Sequence, residues 1–405
     1  MFTLSTYKNK RFAAALFSAL LVAPSVSSSF QLSTNKNIRV HGFASQSLIY
    51  TDNNNFFGNS ANNGSLDYTE LGVNISYQVQ RKLHTAVQLL SRRAGEFDNG
   101  GVKLDFAIAD FRLQQTSKYS VGIRAGRVKN PFGFYNDTRD VSFTRPSILL
   151  PQSIYFERTR DVSISSDGLQ LYGHRDFKLG STQLQLVAAM PRVGGENTEL
   201  AVLGANKPGS FTGKPSFLSR VSFQTHDKKF KLSLSDVILN MGYEETGVSN
   251  NTSLQFRLSI VSFQYRYANL SFTTEYARRK IRFENMRTDY IPSFLANTVG
   301  QSYYFQAAYH ANFHWKVFAR YDVLYQDKND KNGTKYANLT GKPAYEKFAK
   351  DITIGVQWDL NSSWMLRTEL HIINGTAWLP LQDNTDIDNA AQKWRMATAS
   401  VSYRF

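Results

Sequence analysis

Apolar and polar residues alternate one by one over most of this chain. Leu71, Val73, Ile75, Tyr77 and Val79 fall on one side of a period of two, with Glu70, Asn74, Ser76 and Gln78 on the other. That is the spacing of a β-strand whose two faces meet different surroundings. After a turn at 80–82 the rhythm resumes with Leu83, Thr85, Val87 and Leu89. It returns from Tyr303 to Phe313, from Trp315 to Tyr325, from Ile352 to Trp358 and from Trp364 to Ile372. It also ends the sequence, with Ala397, Ala399, Val401, Tyr403 and Phe405 on one face.

Sixteen strands are predicted in all, near 38–50, 66–80, 82–93, 102–115, 119–127, 162–172, 180–190 and 216–227, then 228–240, 252–267, 269–283, 299–312, 314–326, 350–359, 363–374 and 393–405. Connections alternate between turns of a few residues and long segments near 51–65, 94–101, 128–161, 191–215, 241–251, 284–298, 327–349 and 375–392. An even strand count with short turns on one side and long loops on the other predicts an all-β fold. It is a transmembrane antiparallel β-barrel, and residues 30–405 form it. A soluble sandwich or propeller also alternates, but covers its apolar face with a second sheet. Strands this long suit a membrane, which takes about 9–11 residues to cross. Trp358 and Trp364 flank one short turn on the apolar face, where an aromatic girdle would lie.

The first 29 residues read differently. Lys8, Lys10 and Arg11 precede an apolar run from Phe12 to Ala23, then Pro24 and small residues through Ser29. That layout predicts a cleaved secretory signal peptide. Its removal leaves 44 basic against 32 acidic residues, a net charge of +12. Basic charge can mean nucleic acid, but in an exported chain with scattered Lys and Arg no nucleic-acid partner is expected. There is no cysteine, so no disulfide framework or thiolate metal site exists. Past residue 30 no apolar run is long enough for a spanning helix.

The alternation stops for more than thirty residues at Gly126–Asp161, GRVKNPFGFYNDTRDVSFTRPSILLPQSIYFERTRD. A connection of that length is functional or disordered, and its many aromatic and aliphatic residues argue against disorder. It reads as a loop folded into the mouth of the barrel. Within it, Gly126-Arg127-Val128-Lys129-Asn130-Pro131-Phe132-Gly133 resembles the G-x-x-K-x-P-F-G stretch of phosphate-selective porins and their relatives. With the signal peptide, the sixteen strands and the terminal Phe405, the chain resembles the proteobacterial outer-membrane porins. The resemblance implies that the 128–161 loop narrows the channel, that Phe405 serves the barrel-assembly machinery, and that the protein is a homotrimer in the Gram-negative outer membrane. No run of Arg and Lys matches a phosphate ladder.

The loop carries Arg127, Lys129, Arg139, Arg145, Arg158 and Arg160 against Asp137, Asp140, Glu157 and Asp161. Charge at a constriction sets ion selectivity; the same charges could equally pin the loop to the wall. On the strands, opposite the apolar faces, lie Arg92, Arg124, Lys231, Arg257, Arg279, Lys316, Arg320 and Arg367, with Glu70, Glu275, Asp322 and Glu369. Eight bases against four acids predict a lumen that favours anions.

Enzyme chemistry finds no footing. The seven histidines stand in no nucleophile–base or metal motif, so neither catalysis nor a cofactor is expected. The expected function is passive diffusion of ions and small polar or anionic solutes, with lipid and lipopolysaccharide as neighbours. The rival from another class is an adhesion or receptor barrel without an open pore.

Overall fold

The computed structural model describes residues 37–245 and 248–405, with the backbone alone at 248–251. The signal-peptide segment 1–29 lies outside the described residues. Sixteen strands form one closed antiparallel sheet. The first eight are β1 (Ile38–Thr51), β2 (Ser65–Gln80), β3 (Leu83–Ala94), β4 (Asp98–Gln115), β5 (Tyr119–Lys129), β6 (Ser165–Asp176), β7 (Gly180–Pro191) and β8 (Ser210–Thr225). The second eight are β9 (Phe230–Glu245), β10 (Val248–Tyr267), β11 (Leu270–Glu284), β12 (Asn297–His310), β13 (Trp315–Tyr325), β14 (Phe348–Asp359), β15 (Trp364–Gly375) and β16 (Lys393–Arg404). β1 closes on β16, from Phe43 opposite Arg404 to Thr51 opposite Met396. Gly42 and Phe405 exchange both backbone hydrogen bonds at the end of that seam. Closure removes the unpaired edges that no barrel can show to lipid.

The strand positions follow the expected ones closely, with two kinds of difference. The connections expected at 94–101 and 241–251 are mostly strand, because β4 starts at Asp98 while β9 and β10 run from Phe230 to Glu245 and from Val248 to Tyr267. β8 begins at Ser210, six residues before its expected start at 216. Pro215 and a register shift between Lys214 and Phe217 interrupt its alternation there.

Outward faces carry the predicted apolar band. Leu71, Val73, Ile75, Leu169, Leu234, Phe305, Ile354 and Leu370 are all exposed, as side chains meeting lipid would be. At the short-turn rim Trp315 stacks on Trp358 with ring centroids 5.1 Å apart, and Trp364 lies 4.7 Å from Tyr403. This is the aromatic girdle that the two tryptophans predicted, widened by Trp315 and Tyr403. Among the described residues no helix is long and apolar enough to cross a membrane. On the inner face the ring of Phe43 lies flat on Gly72 of the next strand, where a Cβ would overlap it. Glycine under an aromatic ring lets the wall bend sharply and keeps the ring against it.

The lumen is not empty. Val237, Leu239, Met241 and Tyr243 of β9 and Leu254, Leu258 and Ile260 of β10 point inward and pack on Phe132, Leu150, Ile154 and Tyr155 of the long loop. A second buried cluster joins Ile148 and Leu149 of the same loop to Ile49, Tyr68, Leu324, Ile373 and Trp394 of the wall, and to Trp378 and Leu379 after β15.

Candidate functional site: a loop anchored across the lumen

After Lys129 the chain leaves the wall. Asn130 N–H bonds the Ile164 carbonyl at 3.1 Å, and Asn136 Nδ2 reaches the carbonyls of Asn130 and Ser163 at 2.9 Å each. These bonds tie the loop's base. Gly133 then turns with φ +56°, its N–H on Ser235 Oγ of β9 at 3.1 Å. A Cβ there would overlap the Tyr155 hydroxyl, so both conformation and space require glycine. Tyr155 is the hub beside this turn. Its hydroxyl donates to Glu275 of β11 at 2.7 Å and accepts from the N–H groups of Phe134 and Tyr135 at 2.8 and 3.1 Å. Burial, then the Glu275 carboxylate, holds the phenol well above its usual pKa, so it stays a donor.

Most of the charged loop residues are spent on ion pairs. Arg145 donates to Glu70 of β2 at 2.6 Å and to the Tyr68 hydroxyl at 3.0 Å. Arg139 meets Glu157 at 2.5 Å, and Glu157 also takes Arg92 of β3 at 2.7 Å. Burial would raise the Glu157 carboxyl; Arg92 and Arg139 outweigh it and hold the group below the usual carboxylate range. Lys129 bridges Asp105 of β4 and Asp140, and Asp140 also receives Arg160. Asp137 accepts from Arg220 of β8 at 2.5 and 3.0 Å. Arg158 is half-buried and reaches the Ala377 carbonyl at 3.4 Å. Asp161 accepts from Asn197 at 3.1 Å.

The wall cations do similar work. Arg367 donates to the carbonyls of Ser142, Arg145 and Ser147 at 2.9, 2.7 and 3.2 Å. Arg320 bonds Ser147 Oγ at 2.9 Å, and Lys316 bonds the Pro146 carbonyl at 3.1 Å. Glu369 accepts from the Ile148 N–H, and Asp322 accepts from that of Ser153. The loop is therefore held by β2, β3, β5, β8, β9, β11, β13 and β15, on all sides of the barrel. Arg124 faces the lumen too, but is bound to Asp110 at 2.9 Å and lies over the Tyr172 ring.

Two expected positions need correction. Arg127 is not in the loop. β5 continues to Lys129, and Arg127 sits on its outer face opposite Asp167 of β6, bonded to it at 2.8 Å. Arg257 is not in the lumen: it is half exposed on the outer face of β10, 3.1 Å from Asp236. The cause is a reversal of polarity along β9–β11. Near their short-turn ends the apolar face looks out to lipid, through Leu234, Val261 and Phe263; nearer the long-loop ends the apolar face looks in, onto the loop. Arg266 and Arg220, both inward, were missed. Each stands one position from an outward apolar residue (Tyr265 or Tyr267, and Val221), so alternation alone would have placed them.

Beneath the loop, toward the short turns, the lumen keeps a cavity of about 370 Å³. Its walls are the inner faces of β9–β13, its roof Phe134, Tyr135 and Pro146, and the charged residues lining it are all basic. Among the described residues no group of three or more metal-ligating side chains exists.

The fold is that of the bacterial outer-membrane porins. The anion-selective porin of Comamonas acidovorans superposes with a TM-score of 0.56 at 12% identity, over 91% of this chain and 99% of that one. The outer-membrane channel DcaP of Acinetobacter baumannii gives 0.56 at 12%, over 91% and 97%. OmpF of Salmonella typhi gives 0.54 at 15%, over 91% and 98%. No protein-family model matches the chain, and no curated protein sequence does.

Proposed function

We propose that this protein is an outer-membrane porin, a passive and non-enzymatic channel for ions and small polar solutes in which anions are favoured. The carrying observation is the charge left over after the loop is anchored. Most of the loop's own charges cancel in pairs. On the wall, Arg320 and Arg367 are committed to loop oxygens, while Lys231, Arg266 and Lys316 line the open recess with no carboxylate partner within 4 Å among the described residues. Cations without counter-charges, in a recess walled by protein, attract anions by field focusing. Export by the N-terminal signal peptide, assembly through Phe405 and a homotrimeric state belong to the same reading. An outer-membrane protein of Vibrio cholerae whose structure is similar to this one is recorded in a trimer form. Arg278, Lys280 and Arg282, exposed on the outer face of β11 above the apolar band, suit the phosphates of lipopolysaccharide.

The test is a planar-bilayer recording of the purified protein under a salt gradient. Stepwise conductance with an anion-favouring reversal potential is expected. Cation-favouring steps would refute the charge reading. A second reading, an adhesion or receptor barrel with a closed lumen, draws on the loop's anchorage to eight strands; folded protein that gives no steps would decide for it.

A further inference from the structure

The cavity under the loop has an order that ion selectivity does not require. Lys231 of β9 pairs in register with Gln264 of β10, and Arg266 lies two residues beyond Gln264 on the same inner face. Diagonal neighbours of that kind stand about 7–8 Å apart at the backbone, within reach of long side chains. At the far side His310 of β12 is directly opposite Lys316 of β13. Between these two cationic corners the floor is Ser271 and Thr273 of β11 with Gln306 and Ala308 of β12, two hydroxyls and an amide around one methyl. Among the described residues no Asp or Glu lines the space. Arg145 also borders it, but its charge is taken by Glu70. Lys231 rests over the Phe134 ring at 4.6 Å and Lys316 gives one proton to the Pro146 carbonyl, so both keep donors for a ligand.

We propose that this cavity binds a short, hydroxylated organic dianion of the sugar-diacid class, one carboxylate at each cationic corner and the hydroxyls on the floor between. β10 and β13 are three strand spacings apart, roughly 14 Å along the wall, a gap that the long side chains of Arg266 and Lys316 narrow from both sides. A volume of about 370 Å³ lies within the range of small-molecule sites, roughly 300–1,000 Å³. The Ser, Thr and Gln floor would discriminate against a diacid without hydroxyls, because its polar groups would be left unpaired on binding. The site opens among the ends of β9–β13 that carry the short turns, and its roof is the underside of the anchored loop. A bound diacid would therefore plug the channel from that side.

This assignment rests on the anion-favouring channel reading, and the experiment separates the two. Calorimetry on the full chain in detergent reads binding whether or not a pore is open, using galactarate, succinate, the neutral alcohol galactitol and inorganic phosphate as probes. Saturable binding of galactarate is expected, with succinate about tenfold weaker and galactitol silent. Lys231→Gln and Arg266→Gln should each weaken galactarate about tenfold, the loss of one charge-assisted contact. Lys118→Gln, on the rim between β4 and β5, should not. Heat-modifiable gel migration confirms that each variant is folded. In bilayers galactarate should block the steps from the short-turn side only. Binding without conductance would keep the site and overturn the channel. Conductance with no galactarate binding, or with phosphate bound as tightly as galactarate, would overturn the site.

Discussion

Arg145 and Glu70 meet at 2.6 Å across the lumen, one carried by the inward loop and the other by the wall of β2, both buried. The pair fastens the loop to the wall three strands from β5, where its base is tethered. Replacing Arg145 by Met strips Glu70 of its closest partner, Arg92 standing farther off at 3.6 Å. A buried charge that loses its partner costs about 3–5 kcal/mol, so the unfolding midpoint should drop sharply. Arg145→Met with Glu70→Met should recover most of that loss. In bilayers the single variant should show larger and noisier steps. A double variant no more stable than the single one would mean that the pair does not hold the loop.

Acid should loosen the same anchorage. The Glu157 carboxyl is depressed in the folded protein, so its contribution is fully present above its unfolded pKa and is lost as pH falls through the lower folded value. Conductance should therefore hold steady from neutral pH down to about pH 4.5, then become noisy. Glu157→Gln should show that noise at neutral pH. A wild-type trace that changes instead near pH 6–7 would point to a histidine.

Face assignments can be read from selectivity. Lys231→Gln removes a lumen cation and should shift the reversal potential toward cations. Arg257→Gln, on the outer face, should leave it unchanged. Equal shifts from both would place Arg257 inside after all.

Gly72 tests the wall. Gly72→Val puts a branched side chain where the Phe43 ring lies, and overpacking of this kind costs about 1–3 kcal/mol. The folded, heat-modifiable fraction should fall, and Phe43→Ala on the same background should partly restore it. Unchanged folding of Gly72→Val would show that the ring has room to move.

Much of this was legible in the sequence because a membrane barrel repeats one simple demand, apolar out and polar in, at every second residue. The band at Leu71–Val79 and the girdle at Trp358 and Trp364 follow from it directly. Arg257 shows where that demand ends. Beyond the apolar band, Leu254, Leu258 and Ile260 are apolar because they face the loop, and a period of two cannot tell a lipid neighbour from a protein one. Arg127 shows a second limit. It closes the expected strand 119–127 and stands among the charges expected of the loop, and only the continuation of β5 to Lys129 fixes it on the wall. The pairing of loop charges with distant strands was out of reach, since Arg145 and Glu70 are brought together only by the closed sheet.

The inward apolar faces of β9 and β10 make the loop and the wall a matched pair of surfaces. A loop transplanted from another barrel would leave Val237, Leu239, Leu254 and Ile260 facing water, and this loop in a polar-walled barrel would find nothing to rest on. Changes in one surface are then tolerated only alongside changes in the other. The shape of the lumen is set by two separated segments acting together, not by a single exchangeable loop.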